Sequence, residues 1–294
     1  MAQRDSFSGC HPGLNMLYFA AVLAVTILCA HPVTLAISFG TAGAYCVQLY
    51  GWGGFGRRCL WLVPMMAMAA LINPLFSHEG ATILTYLPSG NPLTLESILY
   101  GLAAAVILGA AVLWFGCMTA VLTTDKFVWL FGRLLPALSL LLSMTLRFVP
   151  RLVRQFGQVR QAQQCVGRDI SRGSVLRRVG SAVAILSITL TWALENAIET
   201  ADSMNSRGYG LPGRTAFSIY RFDKRDVLVL AWLLLCCGCV AAGWMSGGLA
   251  WAYYPELQGD QAVLVQAAVL ALFLTPVILN VREECVWKRL RSEI

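Results

Sequence analysis

The sequence predicts an all-α, polytopic membrane protein on three observations. Hydrophobic residues make up 57% of the 294-residue chain and charged residues only 13%, about half the share found in soluble domains. The apolar residues gather in runs of roughly 17–25, the length at which a helix crosses the hydrocarbon core. The charges lie between those runs, and every Lys and Arg falls on one side of the resulting topology.

The first run, residues 14–30, follows a polar start holding Arg4 and Asp5. No small-residue cleavage site follows it, so a retained spanning helix is expected rather than a signal peptide. The second, 33–50, is set off by His31-Pro32, where proline interrupts a helix ladder. Runs 59–76 and 98–122 come next, and 227–245 and 262–281 close the set at about six transmembrane helices.

Orientation follows from charge. With the N-terminus inside, Arg57 and Arg58 fall in the first inner connection, and fifteen of the 22 Lys and Arg fall in the inner segment 123–226. Arg282, Lys288, Arg289 and Arg291 fall in an inner C-terminal tail. The outer connections at His31-Pro32, 77–97 and 246–261 hold Glu79, Glu96, Glu256 and Asp260 but no Lys or Arg. The positive-inside rule is thus met throughout, with both termini inside. Three regions follow: a transmembrane bundle over 1–122, a cytoplasmic region over 123–226, and a transmembrane pair with a basic tail over 227–294.

The middle region is expected to form two long amphipathic helices. Its apolar stretches, 134–149 and 182–194, are short for spans, and topology alone leaves open whether they enter the bilayer. Each continues into a mixed pattern. Arg147, Arg151 and Arg154 share a face past which Leu152, Phe156 and Val159 recur at helical spacing. Val175, Val179, Val183, Leu186 and Leu190 mark a stripe on the second helix, and Glu195, Glu199 and Asp202 an acidic one beyond it. Gly167, Ser171 and Gly173 fit the turn between the helices. Arg207-Gly208-Tyr209-Gly210, then Pro212-Gly213, reads as the second helix's stop signal. If the helices cross, the basic stripe can face the acidic one; two solvated faces are the alternative.

Several functions are disfavoured. The net charge of +7 is spread through short inner connections, as a lipid bilayer requires, and not gathered as a nucleic-acid footprint. The three lysines, Lys126, Lys224 and Lys288, follow Asp125, Asp223 and Trp287, so no Gly-Lys-Ser/Thr phosphate loop is present and ATP would have to be used by a partner. His78-Glu79 is not followed by the second His of a zinc protease, and no G-x-S-x-G elbow occurs. Cys236 and Cys239 make a C-x-x-C inside an apolar run, where cysteine packs as a small hydrophobe, and no second pair completes a zinc set. No metal or other cofactor is expected. The spans hold almost no ionisable residues, which disfavours a self-sufficient ion-coupled transporter.

Two features stand out. Asn73-Pro74-Leu75-Phe76-Ser77-His78-Glu79-Gly80 and Asn91-Pro92-Leu93 flank the second outer connection, as turn chemistry or as a rim for a partner. Ser206-Arg207-Gly208-Tyr209-Gly210 places an arginine fork beside glycine at a helix tip, suited to entering a groove. Arginine at a helix C-terminus also simply complements the dipole.

Over most of its length the chain resembles the transmembrane T component of energy-coupling factor (ECF) transporters. The resemblance runs through His31-Pro32, Ile37-Ser38-Phe39, Asn73-Pro74-Leu75-Phe76 with His78 and Gly80, Asn91-Pro92, Leu146-Arg147-Phe148-Val149-Pro150 and Gln161-Ala162-Gln163. Ser206-Arg207-Gly208 resembles the second of two Ala-Arg-Gly signatures on that family's coupling helices. At the first signature, aligned on Ala162-Gln163 and Asp169, the arginine position is taken by Val166, followed by Gly167 and Arg168. The resemblance implies a multi-pass, non-catalytic subunit of a prokaryotic cell membrane. Its two long helices would dock two ATPase subunits through Gln163, Val166, Gly167 and Arg168 at one tip and Ser206, Arg207, Gly208 and Tyr209 at the other. It would pass ATP-driven motion to a substrate-binding S component that carries a vitamin or metal ion. The rivals are a stand-alone permease or scaffold and a membrane-embedded lipid or isoprenoid enzyme. The enzyme would need clustered acids, and Glu195, Glu199 and Asp202 lack a D-D-x-x-D spacing or a lysine partner.

Overall fold

The computed structural model describes residues 5–77, 79–86, 92–132, 136–168, 174–211, 220–255, 257–259 and 262–292. Of the residues singled out above, Arg4, His78, Asn91, Asp169, Ser171, Gly173, Pro212, Gly213, Glu256 and Asp260 lie outside the described residues. The chain divides into two compact units, Met1–Phe127 with Tyr220–Ile294, and Val128–Ile219.

The first unit starts with two helices built on one device. Helix α1 (Pro12–Leu28) and helix α2 (Pro32–Phe76) each begin at a His-Pro pair. The imidazole Nδ1 of His11 accepts from Gly13 N–H and that of His31 from Val33 N–H, each at 3.2 Å. Proline sits at the first helical position, where its missing N–H would have had no partner.

The two expected spans 33–50 and 59–76 lie within α2, and the loop expected between them is helical. The change of direction is made at one residue, Gly51 (φ 71°, ψ 172°), after which the helix resumes. Left-handed backbone of this kind costs glycine little, so a single position replaces a loop.

A short antiparallel ribbon, β1 (Ile83–Tyr86) against β2 (Pro92–Thr94), follows, with Ile83 opposite Thr94 and Tyr86 opposite Pro92. It leads into α3 (Leu95–Val121), whose N-cap Thr94 accepts from Ser97 N–H at 3.4 Å. Thr82 bonds the Glu96 carboxylate through its N–H and its hydroxyl, fastening the ribbon to that helix start. Then come α4 (Thr124–Gly132), α5 (Pro136–Cys165), α6 (Val175–Ser206) and α7 (Lys224–Met245). The pair β3 (Trp251–Ala252) and β4 (Gln258–Gly259) precedes α8 (Val263–Ser292), which carries the basic tail as helix. Among the described residues, α2, α3, α6, α7 and α8 are long and apolar enough to cross a membrane, and α1 is apolar but shorter. The polytopic all-α class is borne out.

The core of the first unit gathers around Trp114 of α3, fully buried with Tyr18, Phe19, Tyr45 and Phe273. Edge-on and tilted ring contacts join these side chains, the geometry that aromatic quadrupoles favour. Their polar atoms are satisfied within the core. Trp114 Nε1–H donates to Ser38 Oγ at 3.1 Å and the Tyr18 hydroxyl to the Phe273 carbonyl at 3.1 Å. Helices α2 and α3 approach closely at Gly101, where a Cβ would stand 2.6 Å from the Ala70 carbonyl.

The N-terminal segment ties one end of this unit together. Asn280 Oδ1 on α8 accepts from Ser6 N–H at 2.9 Å and Phe7 N–H at 3.4 Å. The Tyr45 hydroxyl on α2 donates to Asp5 at 2.9 Å, and Asp226 on α7 accepts from His11 N–H at 3.2 Å. Lys126 on α4 is buried and donates to Ser8 and, at 2.9 Å, to the Val121 carbonyl. Among the described residues one ion pair is present, Arg225 with Glu283 at 3.8 Å. Both side chains are about half exposed, a setting in which such a pair adds little stability.

Candidate functional site

The second unit holds α5 and α6, and the residues expected to dock partners lie in their last turns and just past their C-terminal ends. Helix α5 runs through Pro150 without ending. Both helices stop in the same way. At α6, Gly208 takes φ 74°, its N–H donates to Asn205 O at 3.0 Å, and Tyr209 N–H reaches back to Met204 O at 3.0 Å. At α5, Gly167 takes φ 80°, its N–H donates to Gln164 O at 3.0 Å, and Arg168 N–H reaches Gln163 O at 2.9 Å. These are two Schellman turns, in which a left-handed glycine lets the chain fold back onto its own last carbonyls. The same turn ends α7 at Gly247, so it is a general way to stop a helix. What distinguishes the two tips is what they present.

Position by position the tips correspond. Arg207 and Val166 stand at the C-cap, Gly208 and Gly167 follow in the left-handed residue, and Tyr209 and Arg168 come next. Ser206 occupies the last helical position of α6, as Cys165 does on α5, and its hydroxyl donates to Asp202 O at 2.8 Å. Arg207, Val166, Arg168 and Tyr209 are all exposed, and neither Arg207 nor Arg168 forms an ion pair among the described residues. The Gln163 amide is half-buried, and its carbonyl oxygen has no hydrogen-bond partner among the described residues. A charged fork projecting beside a glycine therefore occurs at the α6 tip, while the α5 tip offers an isopropyl group with its arginine displaced by two residues.

The two charged stripes are not joined. Helices α5 and α6 meet where Phe148 stacks on Trp192, centroids 6.3 Å apart, and the Arg151 guanidinium lies 5.3 Å from the Trp192 ring. Arg154 Nε–H turns back to the Pro150 carbonyl at 3.3 Å. None of Arg147, Arg151, Arg154, Glu195, Glu199 and Asp202 forms an ion pair among the described residues. The basic stripe brackets the aromatic contact, whereas at about 1.5 Å per residue Asp202 lies some 15 Å farther along α6. The aromatic contact was not legible in the sequence, although Phe148 and Trp192 are the large rings of two otherwise aliphatic stretches.

The stripe Val175, Val179, Val183, Leu186 and Leu190 is exposed, and the buried positions of α6 are Ile185, Thr189 and Asn196. An apolar face of this length left uncovered marks a surface for lipid or protein. Among the described residues, no group of three or more His, Cys, Asp or Glu is placed to hold a metal ion.

The fold is that of a multi-pass helical membrane protein carrying a pair of long helices with exposed, glycine-ended tips. Residues 4–217 match the family model described as CbiQ, cobalt transport protein, and the chain belongs to that family, the T components of ECF transporters. A relative from Bacillus selenitireducens, the energy-coupling factor transporter transmembrane protein EcfT, is 28% identical over 226 residues, covering 74% of this chain and 83% of its own. Proteins of the same name from Lactobacillus helveticus and Lactococcus lactis are 34% and 32% identical over 102 and 99 residues, covering 34% and 33% of this chain and 37% of each of theirs.

Proposed function

We propose that this chain is the mechanical link of an ECF-type importer in the cytoplasmic membrane of a prokaryote. Two ATPase subunits bind the tips of α5 and α6 and move them as they close on ATP and reopen. The long helices pass that motion to the membrane-embedded surface that holds an S component, which then reorients and releases a vitamin or metal ion. The chain performs no bond chemistry. It biases its partners by binding one of their states more tightly than the other. The observation that carries the reading is the matched pair of exposed Schellman turns, one presenting Arg207. Arginine's planar fork can grip carboxylates or helix-end carbonyls in a partner's groove, and the adjacent glycine lets the two backbones come close. The uncovered stripe from Val175 to Leu190 suits contact with the bilayer or the S component.

The test is affinity purification of the full chain in mild detergent from its native host. Co-purification of two ATP-binding subunits and a small membrane protein is expected. A chain that is intact, monodisperse and alone would overturn the reading.

A further inference from the structure

A cleft of about 400 Å³ opens between α2 and α3, lined by Arg57, Arg58, Trp61, Met65, Val112 and Leu113. That volume lies in the range of small-ligand sites. It has two unlike ends. Arg57 and Arg58 sit at one, on the side that the charge distribution assigns to the cytoplasm. Met65, Val112 and Leu113 form the other, on helices that run into the bilayer.

Arg58 is held in place. Its guanidinium carbon lies 3.7 Å from the Tyr50 ring centroid, and the Tyr50 hydroxyl donates to the Gly116 carbonyl at 2.9 Å. The guanidinium packs onto Gly116 so closely that a Cβ there would collide with it. Neither Arg57 nor Arg58 has a carboxylate partner among the described residues. Trp52 and Trp61 are 79% and 78% exposed, as tryptophans at the headgroup level of a bilayer are.

We propose that this cleft binds one anionic phospholipid of the cytoplasmic leaflet. The phosphodiester meets the two guanidinium forks, which match phosphate oxygens bidentately. The Trp61 ring lies at the interface, and an acyl chain follows the apolar wall along Met65 and Val112. The apolar wall is what selects a lipid over a soluble phosphate, since a small anion would leave it uncovered. Basic pockets between spanning helices on the cytoplasmic side are suited to anionic headgroups on general electrostatic grounds. By closing the seam between α2 and α3 at its cytoplasmic end, the lipid would stiffen the bend at Gly51.

The full chain, purified in mild detergent, is equilibrated with phosphatidylcholine vesicles doped with phosphatidylglycerol, and bound lipid is quantified after detergent washing. Retention of phosphatidylglycerol over phosphatidylcholine is expected. R57Q/R58Q should lose retention on the order of tenfold, from the loss of two surface cations. G116A, which keeps both charges but displaces the Arg58 guanidinium, should fall between the two. The tail variant K288Q/R291Q should retain lipid as the parent does. Equal retention by R57Q/R58Q overturns the proposal, and so does an equal loss in the tail variant, which would mean diffuse charge attraction. Displacement by glycerol 3-phosphate would make the ligand the headgroup alone, and a co-purifying protein subunit that excludes the lipid would make the cleft a protein interface. Either result overturns the lipid assignment. If R57Q/R58Q elutes as aggregate, G116A decides, because it leaves both arginines in place.

Discussion

Val166 and Arg207 occupy the same position, the C-cap of a Schellman turn, at the ends of α5 and α6. The backbones of the two tips are equivalent in their hydrogen bonds and in the left-handed glycine that follows, Gly167 or Gly208. Only the side chains differ. If both tips dock ATPase subunits, the two contacts are unequal in this protein. Arg207→Glu should leave the chain membrane-inserted while abolishing recovery of ATPase subunits in pull-down. Arg168→Glu should have a smaller effect, because Arg168 stands two residues past the C-cap. Undiminished recovery with Arg207→Glu would remove the docking role.

The same equivalence predicts a gain. Val166→Arg restores a guanidinium at a position where the backbone is already correct, and Val166 is 73% exposed, so the longer side chain has room. ATPase association should strengthen, read as slower loss of the subunits during washing. Slower loss should persist in Arg168→Gln, which separates the C-cap position from its neighbour.

Glycine at the turns can be tested directly. Gly167→Ala and Gly208→Ala place a Cβ at φ 80° and 74°, a conformation that costs a non-glycine residue about 1 kcal/mol. The cost falls on the tip and not on the bundle, so thermal stability of the purified chain should change little. ATPase recovery should fall roughly fivefold if that strain must be borne in the docked state. Matched losses at the two glycines would show that both tips are used.

Cysteine labelling reports on each of the two units, Cys165 in the second and Cys10 and Cys285 in the first. Cys165 and Cys285 are exposed, and Cys10 is buried. Burial pushes the Cys10 thiol up to about 11, with Asp226 and Asp5 adding to the rise and Arg225 opposing it. Little thiolate exists there at neutral pH. Maleimide at pH 7 should label Cys165 and Cys285 but spare Cys10 until the chain is denatured. Bound ATPase should protect Cys165, which lies in the last turn of α5, and leave Cys285 reactive. Early labelling of Cys10 would show that the N-terminal segment is not docked.

That segment should also contribute stability. Asn280→Ala removes the acceptor for the Ser6 and Phe7 N–H groups. Leaving buried donors without a partner costs about 1–3 kcal/mol. A lowered melting temperature in detergent is expected, with Asn280→Asp, which keeps an acceptor oxygen, closer to the parent.

The sequence by itself determined the class of protein, the order of its apolar segments and the one-sided placement of its charge. Each depends on short-range properties, the length of an apolar run and the sign of the charge beside it, which act independently of how helices pack. It did not determine the number of apolar helices, since two expected spans share α2 and α6 is long and apolar enough to cross a membrane. It also marked Arg207-Gly208 and the altered Val166-Gly167-Arg168 as a pair. Three things were decided only in the tertiary structure. The connection at Gly51 is a bend within helix, because one left-handed residue suffices where a loop was expected. Arg151 of the basic stripe lies against Trp192, and among the described residues no ion pair joins the stripe to Glu195, Glu199 or Asp202, because the level at which two helices touch depends on their packing and not on the pattern of either one. The N-terminal residues Asp5 to His11 bind four helices through hydrogen bonds to Tyr45, Lys126, Asp226 and Asn280. Those partners lie up to 274 residues away in sequence, and no local pattern records them. The equivalence of Val166 and Arg207 needed both: residue types supplied the pair, and the backbone hydrogen bonds established the register.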